Sequence, residues 1–240
     1  MKTAGLTDWI GGATVSAFVY PSIVLICFVF VDIIEWLEDA AGRTPLTSVF
    51  LYGAIWMTIS IAATYHGATV GYRHSGLTSR NKVSAVRKAI PDQPWYMWLL
   101  FQMPIFGAIQ FAVIFVEFQY IWNSVWRSQL YAMFGCLFIN MLLLVLAIGC
   151  LSIIQTYFTL RHGNHEWHWR AFWTAASCGL WVGGYTFYYM VYIAKMNMWE
   201  GELIYFVWAA LLTYSCSVMC GMIGLLASAQ FVESIYSNIK

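Results

Sequence analysis

Six apolar stretches, each of about 20 residues or more, divide this 240-residue chain. They run over about 10–34, 46–72, 96–121, 129–160, 171–194 and 203–232. Roughly 20 consecutive apolar residues are what an α-helix needs to cross the hydrocarbon core of a bilayer. Within that core every backbone N–H and C=O must bond inside the protein, which leaves only helices and closed barrels. None of the stretches shows the alternation of a barrel strand. The sequence therefore predicts an all-α fold, a polytopic integral membrane helical bundle with six transmembrane helices. The whole of 1–240 reads as a single transmembrane domain, with no soluble domain. Composition agrees: 61% of residues are hydrophobic and 10% charged, against about 25% charged in soluble proteins. A formal net charge of +1 excludes the overall basic footprint of a nucleic-acid binder. The lipid bilayer is the first partner expected, and nucleic acid is not one. The fourth and sixth stretches exceed what a bilayer requires, so tilt or extension past the interface is expected.

Lys and Arg set the orientation. Lys2, Arg73, Arg80, Lys82, Arg87, Lys88, Arg161, Arg170 and Lys240 fall on one side, and only Arg43, Arg127 and Lys195 on the other. The second side also collects Glu35, Glu38, Asp39, Glu200 and Glu202. The basic side is the cytosolic one, so both termini and the 73–95 and 161–170 links are expected there. Residues Met1 to Ile10 do not read as a cleavable signal peptide, so the first helix is expected to insert as its own anchor.

All six cysteines (Cys27, Cys136, Cys150, Cys178, Cys216 and Cys220) fall inside apolar stretches. This is neither a disulfide framework nor a metal knuckle; the side chains read as small buried hydrophobes. Cys216 and Cys220 share a helix face at i, i+4. Nine tryptophans (Trp36, Trp95, Trp98, Trp122, Trp126, Trp167, Trp169, Trp173 and Trp199) sit near span ends, as an interfacial aromatic belt would. Gly67-x-x-x-Gly71 and Gly179-x-x-x-Gly183 each place two glycines on one helix face, and Ser217, Gly221 and Gly224 form a third small-residue surface. Small residues let helix backbones meet in lipid, so these glycines are helix-packing candidates.

Polar groups inside the spans are costly and thus informative. Gln110 and Glu117 lie two helical turns apart on one face of the third span, and Asn140 adds polarity to the fourth. Glu117 reads either as a proton or cation site, lining a polar route with Gln110 and Asn140, or as a buried hydrogen-bonding group. The link Arg161-His-Gly-Asn-His-Glu-Trp-His-Trp-Arg170 spaces His162, His165 and His168 at steps of three. That spacing makes them weak metal candidates, because Gly163 and Asn164 turn the chain rather than continue a ligand-bearing helix. A solvated loop is the favoured reading. No phosphate loop, catalytic triad or HExxH motif occurs, so neither an enzyme nor a cofactor is expected.

Several segments, read in order, resemble the nonaspanins (transmembrane 9 superfamily). Lys88-Ala-Ile90-Pro91-Asp-Gln-Pro94-Trp95-Tyr96 resembles the family's IPxQPWY-type segment at the end of its cytosolic loop. Phe115-Val-Glu-Phe-Gln-Tyr-Ile-Trp122 resembles its IEL-aromatic-aromatic stretch, Trp126-Arg-Ser-Gln-Leu-Tyr131 its W-x-x-Q-x-Y turn, and Phe134-Gly-Cys-Leu-Phe138 its FGFLF. Tyr157-Phe-Thr-Leu160 with Trp167-His-Trp169-Arg170-Ala-Phe172 is similar to YFxL followed by WWWRxF. Gly221-Met-Ile-Gly224 and Ile235-Tyr-Ser-Asn-Ile-Lys240 are similar to GTIG and IYxxxK at the family's end. The resemblance covers the chain and matches the last six of the family's nine helices. Ile109-Gln-Phe-Ala-Val113 departs from the family's LPFGA, and Glu233-Ser234 stand where a basic pair is expected. Lys240 lacks the acidic half of the Lys-x-Asp/Glu tail by which members are retained in the Golgi. The resemblance implies a non-catalytic protein of Golgi or endosomal membranes that sorts or localises other membrane proteins. An accessory subunit of a larger membrane complex and a transporter or channel using Glu117 are the alternatives.

Overall fold

The computed structural model describes residues 9–37, 45–73, 90–127, 133–194 and 199–238. These residues are helices and the turns joining them, with no strand among the described residues. Helix α1 spans Trp9–Leu37, α2 Leu46–Arg73, α3 Leu99–Arg127, α4 Met133–Arg161, α5 Trp167–Ala176, α6 Cys178–Tyr189 and α7 Trp199–Asn238. A single 3₁₀ turn, Trp95–Met97, precedes α3, and a π-helical turn, Met190–Ala194, follows α6. Four helical stretches among the described residues are long and apolar enough to cross a membrane: Gly11–Leu37, Thr47–Val70, Phe138–Arg161 and Trp199–Tyr236. The protein is an all-α membrane bundle. At ~1.5 Å per residue, the 40 residues of α7 extend for about 60 Å, twice the hydrocarbon thickness.

Burial follows the logic of a lipid solvent. Ile26, Leu146, Leu180 and Phe206 are all exposed by more than half, while Gln110, Gln155, Thr156, Thr159, Thr186 and Ser228 are buried. Lipid is as apolar as leucine, so burying leucine gains little there. Close packing of small residues and hydrogen bonds between helices carry the association instead.

The described residues gather into two compact units. The first comprises α1, α2 and α7 up to Leu211. Its first two helices run antiparallel, with the Thr14 and Tyr65 hydroxyls 2.7 Å apart and the Tyr20 and Trp56 rings edge-on at 6.1 Å. Phe28 meets Trp208 of α7 edge-on at 6.0 Å. The second unit comprises α3 to α6 and α7 from Leu212. Its core is Ile114, Leu144, Ile148, Ala175, Cys178, Val182 and Cys220.

The stretch at 171–194, which reads as one uninterrupted span, begins at Trp167 and breaks after Ala176. Ser177 explains the break. Its hydroxyl lies 2.6 Å from the Thr174 carbonyl and 2.7 Å from the Met103 carbonyl of α3. The Thr174 oxygen would take the Cys178 N–H in a continuous helix; here it accepts from a side chain, the local competition that serine offers a helix. Gly107 of α3 allows the close crossing, since a Cβ there would stand 2.8 Å from the Ser177 carbonyl oxygen. Pro104 adds a second tie, its carbonyl accepting from Trp181 Nε1 at 3.0 Å.

Candidate functional site

Two of the segments that carry the family resemblance, Ile90–Tyr96 and Tyr157–Phe172, meet at one end of the second unit. Helix α4 closes at Arg161 with Gly163 in the left-handed region, φ 72°. The Gly163 N–H donates to the Leu160 carbonyl at 2.9 Å and the Asn164 N–H to the Thr159 carbonyl at 3.1 Å. This pair of bonds is a Schellman closure, which wants glycine at that position. Buried Asn164 then accepts the Glu166 N–H at 2.9 Å and launches α5.

Onto this turn packs the Ile90–Trp98 segment. Pro91 lies 3.5 Å from where a Gly163 Cβ would stand. Gln93 Nε2 donates to the His162 carbonyl at 3.2 Å and to the Pro91 carbonyl at 2.9 Å. Pro94 is extended (φ −62°, ψ 152°) and leads into the 3₁₀ turn, where Trp95 and Tyr96 are exposed and Met97 is buried. The Tyr96 and His162 rings meet edge-on at 6.1 Å. Arg170 closes the cradle, its Nη1 donating to the Met97 carbonyl at 2.7 Å across 73 residues of sequence. A guanidinium donor makes this among the stronger hydrogen bonds available.

The histidines do not converge. His162 is half-buried against Tyr96, His165 is exposed, and His168 stacks on Trp167 at 3.6 Å. Partial burial holds the His168 imidazole below its ordinary value, so it stays neutral to lower pH than a free histidine. The group of potential metal ligands found among the described residues is made of cysteines, Cys178, Cys216 and Cys220.

A sequence profile of the endomembrane protein 70 family matches residues 1–200. The chain belongs to that family. It is 30% identical over 233 residues to transmembrane 9 superfamily member 4 of Homo sapiens, covering 97% of this chain and 36% of the relative. It is 28% identical over 239 residues to member 10 of Arabidopsis thaliana, covering 100% of this chain and 38% of that protein. Member 2 of Rattus norvegicus is 27% identical over 239 residues, 36% of its length. The chain thus spans little more than a third of the relatives it matches. No solved structure matches it.

In this endomembrane protein 70 chain the glycines divide into two kinds. Gly179 and Gly183 of α6 face α7: a Cβ on Gly179 would collide with Ser217 Oγ and stand 2.9 Å from the Thr213 carbonyl, and one on Gly183 would stand 3.0 Å from Thr213 Cγ2. A Cβ on Gly221 would stand 2.7 Å from the Phe172 ring, and one on Gly224 would collide with Ala175 Cβ and stand 2.7 Å from Ser152 Oγ. Gly67 is different. Nothing described in its own unit lies within 4 Å of its Cβ position. The surroundings of Gly71 lie outside the described residues.

Of the intramembrane polar residues, Gln110 is buried, with no partner for its Oε1 among the described residues, and Asn140 is half-buried. Glu117 falls within α3, but its side chain lies outside the described ones. A polar cluster absent from the sequence reading joins α4 to α7. There Thr156 Oγ1 donates to Ser228 Oγ at 2.9 Å, and Ser228 lies 3.4 Å from the Ser152 carbonyl. Serine and threonine in apolar helices carry no periodic signal that would single them out.

Proposed function

We propose that this chain is a non-catalytic multi-pass membrane protein that sorts or localises other membrane proteins by helix–helix recognition within the bilayer. The observation that carries the reading is Gly67. It lies on α2, whose most apolar stretch has no buried residue, and it is exposed beside Ala63, one turn earlier on the same face. A glycine with no described neighbour in its own unit leaves room for the backbone of another helix, and small residues four apart are how helices associate in lipid. Membership of a family whose relatives are named as transmembrane proteins supports the bilayer setting. A Golgi or endosomal membrane rests on the resemblance alone.

A photo-crosslinking side chain at Ala63 tests this. It should capture transmembrane segments of other proteins, and Gly67→Leu should abolish capture by at least tenfold while leaving elution and thermal stability unchanged. Undiminished capture in Gly67→Leu would overturn the recognition surface. A single partner captured at fixed stoichiometry would support the accessory-subunit reading instead, and a solute flux lost in Glu117→Gln the transport reading.

The proposal includes six spans in a single transmembrane domain with both termini cytosolic, on the nine-to-three division of basic residues. Ser79→Cys and Asn197→Cys in a cysteine-free variant should react with impermeant maleimide from opposite faces of sealed vesicles. Reaction of both from one face would sink the six-span topology.

A further inference from the structure

Two helices of the second unit bring three thiols to one point. Cys178 opens α6, and Cys216 and Cys220 stand one turn apart on α7. The three Sγ atoms all lie within 4.8 Å of one another, with the Cys216–Cys220 pair at 3.9 Å. Cys178 and Cys220 are fully buried, and Cys216 is half-buried. The convergence is held by backbone rather than by flexible side chains. Gly179, the neighbour of Cys178, lets α6 touch α7 at Thr213 and Ser217, and Gly221, the neighbour of Cys220, lets α7 close on Phe172. Separations along the sequence of 38 and 42 residues hide this triad from any spacing motif.

We propose that Cys178, Cys216 and Cys220 form a binding site for one Cu(I) ion. The donor set is purely soft, with no imidazole or carboxylate in the group. Soft thiolates favour Cu(I), zinc or iron–sulfur clusters over hard cations. Structural zinc takes four ligands, whereas Cu(I) is satisfied by three. A metal–thiolate bond of about 2.3 Å places the sulfurs of a trigonal site about 4 Å apart. The 3.9 Å edge already matches, and the remaining edges need to close by less than an ångström. Ile114, Val182 and Met219 pack in or against the same core, which keeps water from the site and disfavours Cu(II), an ion of nitrogen and oxygen ligands.

Charge limits the protonation state. One Cu(I) displaces a proton from each of two thiols, and the third sulfur coordinates as the thiol, leaving the site at a single negative charge. Ligation of all three as thiolates would double a charge already costly in a low dielectric. With two protons released, apparent affinity should rise about 100-fold per pH unit over the range in which the free thiols are protonated.

The full chain in lipid nanodiscs, reduced and under argon, is titrated with the Cu(I)–bicinchoninate complex. The same is done for a variant carrying Cys27→Ala, Cys136→Ala and Cys150→Ala, in which the triad supplies the only thiols. Both proteins should withdraw one Cu(I) per chain, bleach the chelator band, gain sulfur-to-copper absorption in the near ultraviolet, and show a three-sulfur shell by X-ray absorption. A folded Cys178→Ala or Cys220→Ala variant should lose at least 100-fold in affinity. Failure of the triple-alanine variant to take copper from the chelator overturns the site, as does a copper shell of nitrogen or oxygen. Retention of the metal by folded Cys178→Ala does so too. Should Cys178→Ala not fold, the sulfur shell of the triple-alanine variant decides alone.

Discussion

Replacing Gly179 by leucine is expected to disassemble the second unit, with the apparent Tm in detergent falling by roughly 6–12 °C. A Cβ at Gly179 meets Ser217 Oγ inside contact distance and the Thr213 backbone carbonyl at 2.9 Å. The hydroxyl could rotate away, but the carbonyl belongs to the axis of α7 and cannot. The helices must separate, and separating them exposes Cys178, Val182 and Cys220 of the core. Overpacking costs about 1–3 kcal/mol in cores that can partly yield, and 1 kcal/mol shifts Tm by about 2–4 °C at this size. The upper end therefore applies where the obstacle is backbone. Two neighbours supply the comparison. Gly183 faces only the Thr213 side chain, at 3.0 Å from Cγ2, and Gly184 has nothing within 4 Å. Fluorescence-detected size-exclusion after heating should rank Gly179→Leu below Gly183→Leu, with Gly184→Leu close to wild type. Equal loss in all three would mean that the α6–α7 contact is not what holds the unit.

That series also marks where sequence stops being informative. The helical, lipid-facing character of the chain was legible because 20-residue apolar runs admit few other folds. The turn at Gly163-Asn164 was legible because a glycine followed by asparagine between two apolar runs has a local reason to turn. The small-xxx-small pattern was legible too, but not its use. Gly67-x-x-x-Gly71 and Gly179-x-x-x-Gly183 look alike in sequence, yet Gly179 and Gly183 are closed on by α7 while no described residue of its own unit meets Gly67. Which face of an apolar helix turns inward is decided by partners far along the chain, and in lipid no polar–apolar contrast records the choice. The Ser177 break escaped for a related reason, since its hydroxyl lies against both the Thr174 carbonyl of its own helix and the Met103 carbonyl of another, and only the first is near it in sequence. The thiol triad escaped because two of its members are one turn apart and the third comes from α6. The histidines at steps of three were the visible cluster, and the structure spreads them between Tyr96, solvent and Trp167.

Arg170→Leu is expected to release the Ile90–Trp98 segment from the α4–α5 turn without unfolding either helix. The Arg170 guanidinium donates to the Met97 carbonyl at 2.7 Å, and Met97 is buried at 1% exposure, so water cannot freely replace the lost donor. Hydrogen bonds to charged groups contribute about 1.5–3 kcal/mol, and an unsatisfied buried acceptor adds to the loss. The remaining ties are weaker: one neutral bond from Gln93 to the His162 carbonyl, the Tyr96–His162 ring contact and the Pro91–Gly163 packing. Local opening of the segment should therefore become roughly 10-fold to 100-fold more frequent, by the conversion of about 1.4 kcal/mol to a factor of ten. Hydrogen exchange reads this directly. The Met97 and Trp98 N–H groups, which donate to the Pro94 and Trp95 carbonyls, should lose protection by that factor. The Gly163 and Asn164 N–H groups, held within the α4 closure, should not change. Arg170→Lys keeps the charge but offers a compact ammonium in place of the planar fork, and should recover only part of the protection. If Arg170→Leu leaves the Met97 and Trp98 exchange unchanged, the cradle is held by the proline packing and the guanidinium bond contributes nothing. If protection falls throughout α4 and α5 as well, Arg170 supports the whole unit rather than this one junction.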